Sequence, residues 1–79
     1  MTVWLWDAPG PVSSALGVCG EEAGARRAAT ARLAGGQASA AVVEEAIVVT
    51  GTASLLQCFE RTGNRWQARP GKRIRWHRG

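Results

Sequence analysis

The residues best equipped for chemistry crowd the end of the chain. Residues 61–79 hold Arg61, Arg65, Arg69, Lys72, Arg73, Arg75 and Arg78 and no acidic side chain. A guanidinium is a planar fork of donors that matches carboxylate and phosphate oxygens, so such a run suits recognition of an anion. The preceding residues 1–60 hold Arg26, Arg27 and Arg32 against Asp7, Glu21, Glu22, Glu44, Glu45 and Glu60, a net charge of −3 against +7 for residues 61–79. Asymmetry of this kind is the usual sequence mark of a surface that meets an anionic partner. Nine of the ten basic residues are arginine, tyrosine is absent, and alanine and glycine abound. That bias also follows from a GC-rich bacterial genome, so arginine content alone does not argue for binding.

Catalytic groups are sparse. The serine and cysteine candidates are Ser13, Ser14, Ser39, Ser54, Cys19 and Cys58, with His77 as the sole histidine. Neither a GxSxG elbow nor an HExxH helix is present, and Gly10 and Gly17 do not build a phosphate loop. Glu60, His77 and Arg75 would make a base, an acid and an anion holder of the kind a small ribonuclease-like toxin uses, if they met on one sheet face. Any basic strand with one histidine produces that set, so a non-enzymatic protein is expected. Cys19 and Cys58 lie far apart without zinc-ligand spacing, and His77 is the only other soft ligand. Two reduced thiols, no metal and no cofactor are the expectation.

The elements that must position the basic run follow from pattern. Residues 3–7 are apolar on both faces and read as a short buried strand, ended by Pro9 and Pro11. Residues 12–20 read as a loop, being rich in serine and glycine. Residues 21–34 form the best helix: alanine-rich, acidic in the first turn, Arg32 in the last, and stopped by Gly35-Gly36. Its buried stripe would be Ala25, Ala28, Ala29 and Leu33. Residues 40–49 fit a helix or a strand. The β-branched Val42, Val43, Ile47, Val48 and Val49 favour a strand, beginning near Glu45.

Residues 55–78 read as a three-stranded antiparallel meander. Gly63-Asn64 has glycine first, as a type II′ hairpin turn prefers, and would set Arg61 opposite Trp66. A three-residue turn at Pro70-Gly71-Lys72 would set Arg69 opposite Arg73, Gln67 opposite Arg75 and Trp66 opposite Trp76. One face then collects Phe59, Trp66, Ala68, Ile74 and Trp76. The other collects Arg65, Gln67, Arg69, Arg73, Arg75 and His77. A slip of one residue would invert every side chain, so the agreement of turn and alternation is informative.

The resulting expectation is a single α+β domain over residues 1–79, a small two-layer fold. A β-α-β unit precedes the C-terminal meander, and the helix packs on one sheet face. The candidate nucleic-acid-binding residues are Arg65, Arg69, Lys72, Arg73, Arg75, His77 and Arg78. An opposed Arg69–Arg73 pair would destabilise the sheet until an anion arrived. Phosphates would supply salt-dependent affinity, and a β-ribbon can enter a major groove. An interaction module docking on an acidic protein is the alternative, and a merely solvated face that blocks edge-to-edge pairing is another. Trp66 and Trp76 are expected in the core rather than as stacking platforms for bases. Trp4 and Trp6 share a face of the first strand, and one left partly bare would mark a homodimer contact. The N-terminal residues lack a basic region followed by an apolar core, and residues 38–49 are broken by Glu44-Glu45. A soluble cytoplasmic protein with no membrane partner is therefore expected.

Overall fold

The structure, a computed structural model, describes residues 1–50 and 57–79. It is an α+β domain in which one helix covers one face of a five-stranded antiparallel sheet. The strands are β1 (Thr2–Ala8), β2 (Ala15–Cys19), β3 (Ala41–Thr50), β4 (Gln57–Ala68) and β5 (His77–Arg78), and the helix is α1 (Glu22–Ala34). The sheet order is β2-β1-β3-β4-β5. Among the described residues no helix is long and apolar enough to cross a membrane.

The helix begins where expected. Glu21 is extended at its start, and the Gly35 N–H donates to the Ala31 carbonyl at 3.1 Å to close its last turn. Ala25, Ala29 and Leu33 are buried, while Ala28 is only partly covered. These small side chains leave room beneath the helix for Trp4, with Trp6, Trp66 and Trp76 around it. Alanine on the helix and tryptophan on the sheet thus fill one layer together, where neither would pack alone. The Trp76 indole N–H donates to Thr30 Oγ1 at 3.3 Å, tying the C-terminal segment to the helix.

Three expectations about the strands are corrected. The supposed loop at residues 12–20 contains β2, whose Gly17 pairs with Trp6. A Cβ on Gly17 would lie 2.5 Å from the Trp6 indole nitrogen, so glycine marks a close approach inside a strand and not a loop. β3 begins at Ala41, earlier than Glu45.

The third correction concerns the meander. Gly63-Asn64 is not a turn, because β4 runs through it and pairs with β3 on both sides. Glu44 faces Arg65 and Ala46 faces Arg61, leaving Thr62, Gly63 and Asn64 opposite the single residue Glu45. This is a bulge, and Gly63 takes φ +90° within it. Thr62 Oγ1 donates to Glu45 Oε1 at 2.8 Å across the irregularity. Arg61 and Trp66 therefore share a strand and are not partners.

After Ala68 the chain bends over residues 71–73 and returns as β5. Trp66 faces Arg78 and Gln67 faces His77, two residues beyond the expected register. The Trp66–Trp76, Gln67–Arg75 and Arg69–Arg73 cross-strand pairs do not form. The Gly51 turn and the start of the meander at Leu55 lie outside the described residues.

Candidate anion-binding cleft

A slip of two residues keeps every side chain on its expected face. Gln67 and His77 are therefore turned away from the helix, while Trp66 and Ala68 are turned toward it. Beyond the end of β4, Arg69, Arg73, Arg75 and His77 line one cleft of about 340 Å³. Its remaining walls are Gln67, Ala40, Val42 and the strand ends at Ala41 and Ala68, whose own side chains are buried on the helix side. The floor is thus made where β3 and β4 end, with Val42 and Ala40 as its apolar side chains, and the rim is cationic.

No carboxylate neutralises that rim. Among the described residues the ion pairs are Glu22–Arg26 at 3.0 Å on the helix and Glu44–Arg61 across β3 and β4. Arg65, Arg69, Lys72, Arg73, Arg75 and Arg78 have no acidic partner within bonding distance among those residues. Mutual repulsion of guanidiniums around one concave site raises the local potential, which draws in anions.

The expected site residues divide. Arg69, Arg73, Arg75 and His77 come together. Arg65 lies on the same sheet face but next to Glu44, bordering a neighbouring hollow instead of the cleft. Lys72 is exposed in the bend and is not among the cleft residues. Arg78 turns to the helix side, where its guanidinium lies 5.1 Å from the centre of the Trp66 ring. Arg26 of the helix lies 4.3 Å from the same ring and 5.9 Å from that of Trp76. Trp4 is buried beneath the helix, and Trp6 is partly covered across Gly17.

Glu60 pairs with Ile47 and so belongs to the helix side of the sheet, opposite His77. The Glu60, His77 and Arg75 set is not assembled. Cys19 is a partly covered free thiol. Among the described residues no cluster of histidine, cysteine and carboxylate side chains is arranged for a metal.

Sequence reasoning missed the floor of the cleft. Ala40, Ala41 and Val42 join it only through the pairing of β3 with β4, and the bulge that sets this pairing leaves no sign in the alternation. No family model matches the chain, and neither a curated protein nor a solved structure matches it.

Proposed function

We propose that the protein is a small nucleic-acid-binding module and that the cleft of Arg69, Arg73, Arg75 and His77 holds the phosphodiester backbone. The observation that carries this reading is the convergence of three guanidiniums and an imidazole on one concavity that lacks a carboxylate. Arg65 and Lys72 flank it and extend the positive track along the chain. Phosphate is the anion that such a track meets in series, and an apolar floor accommodates a sugar or the face of a base.

The fold alters the docking mode. β4 is paired with β3 along its length, so no free two-stranded ribbon projects to fill a major groove. The proposed contact is a backbone seated in a cleft, which suits an unpaired strand or a frayed end better than an intact groove.

Fluorescence anisotropy with a labelled single strand and a labelled duplex, each at two salt concentrations, tests the reading. For three to four phosphate contacts by a single strand, the slope of log affinity against log salt should be about −2 to −3. Arg73→Ala with Arg75→Ala should remove most of the affinity. Binding that ignores both substitutions and salt would refute the assignment. Salt-sensitive binding to polyglutamate but not to either nucleic acid would reassign the cleft to an acidic protein.

A further inference from the structure

Among the described residues no element packs on the sheet face away from the helix, although Val3 and Ala46 within it are buried. Strand register places Leu16 and Val18 of β2, Val3, Leu5 and Asp7 of β1, and Val42, Glu44 and Val48 of β3 on this face. Phe59, Arg61 and Arg65 of β4 complete it. Leu16 is 76% exposed, Val18 52% and Phe59 39%, a large bare apolar content for a small domain. The covered side is meanwhile thin, since among the described residues the largest side chain fully withdrawn from solvent is Val43. A chain of this size gains much of its stability from any further apolar burial.

We propose that two copies of the chain associate through this face, sheet against sheet, about a two-fold axis parallel to β3. The charge layout selects the occupant and the axis. The β2–β1 half of the face is aliphatic with one acid, Asp7, which has no ion-pair partner among the described residues. The β4 half carries Arg61 and Arg65, and only Arg61 is paired, with Glu44. A two-fold along the strands lays the aliphatic, acidic half of each copy over the basic half of the other. Asp7 then approaches the Arg65–Gln67 stretch of its mate, and Leu5, Leu16 and Val18 cover the aliphatic stems of the arginines. A two-fold across the strands would instead stack guanidinium on guanidinium.

Dimensions agree with a modest dimer. With strands about 4.8 Å apart and a rise of about 3.3 Å per residue, four strands over seven residues give roughly 450 Å² of flat face per copy. The pair buries about 900 Å² before side-chain relief is counted, which approaches the low end of specific interfaces. Sheets packed in this way lie about 10 Å apart with their inner side chains interdigitated. Arg69, Arg73 and Arg75 lie past the end of the paired region, so this inference does not rest on nucleic-acid binding.

Sedimentation velocity of the protein alone, from about 5 to about 500 µM, reads the association directly. The wild type should pass from monomer to dimer within that range. Leu16→Glu, at an exposed position, should raise the dissociation constant roughly 100-fold, and Asp7→Arg roughly 10-fold. Asp7→Arg combined with Arg65→Asp should return it to within about 3-fold of wild type, a rescue that a folding defect would not show. Monomer at every concentration would overturn the proposal. So would a dimer that ignores Leu16→Glu, as pairing through the β2 edge would give, or a charge exchange that fails to restore association.

Discussion

Arginine does two different jobs on the two sides of this sheet. On the helix side, Arg26 and Arg78 both lie over the Trp66 ring, and Arg26 is further held by Glu22 at 3.0 Å. On the open side, Arg69, Arg73 and Arg75 surround a cleft and meet no acid among the described residues. The first group is engaged by the protein itself, through the Trp66 face and, for Arg26, the Glu22 carboxylate, although the Arg26 Nε is buried without a hydrogen-bond partner. The second is left unsatisfied at some electrostatic cost, and that difference, rather than the number of arginines, singles out a site. Residue type announces a capacity, and the neighbours decide whether the capacity is already used.

Substitutions should separate the two sides. The largest effect belongs to the covered layer: Val43→Asp buries a charge under α1 with no partner and should abolish the cooperative melt seen by circular dichroism, because several kcal/mol exceeds what a marginal domain can lose. A variant that still melts cooperatively near wild type would show that the helix does not seal this face. Gly63→Ala forces a Cβ into a left-handed conformation at the bulge and should cost about 1–2 kcal/mol, lowering the melting temperature by roughly 4–16 °C for a domain of this size. Arg26→Ala removes a guanidinium from the Trp66 face and should cost about 0.5–2 kcal/mol with little effect on oligonucleotide affinity. Arg75→Ala should do the reverse, shifting stability by no more than about 0.5 kcal/mol while weakening binding. Equal losses of stability for Arg26→Ala and Arg75→Ala would erase the distinction between the two groups.

The same division explains what was legible in the sequence. The helix could be read because its signals are local: alanine content, acidic first turn, Arg32 near the end and two terminal glycines. The facing of residues 65–78 was also legible, since alternation is a local property and survived an error of two residues in the turn. What failed depended on partners distant in sequence. Gly17 sits in a strand because Trp6 crosses it, and nothing near Gly17 says so. Gly63 needs a positive φ in a hairpin turn and in a bulge alike, so its chemistry was recognised and its setting was not. Charge groups Arg78 with the other cations, although alternation with His77 already puts it on the Trp66 side, where strand pairing sets it. Leu16 and Val18 lie in a stretch that reads as a loop, and their exposure on the sheet follows from the pairing of β2 with β1.

The proposal is that the cleft arginines, Arg69, Arg73 and Arg75, receive a nucleic-acid backbone while the helix-side arginines do not. Titration of isotope-labelled protein with a short single strand at low salt, followed by backbone amide and arginine Nε resonances, tests it residue by residue. Shifts should concentrate at Gln67, Arg69 and Arg73 to His77, with Arg26 Nε and the β2 amides unmoved. Shifts centred on Arg26 or β2, or a spectrum unchanged at saturating oligonucleotide, would contradict it.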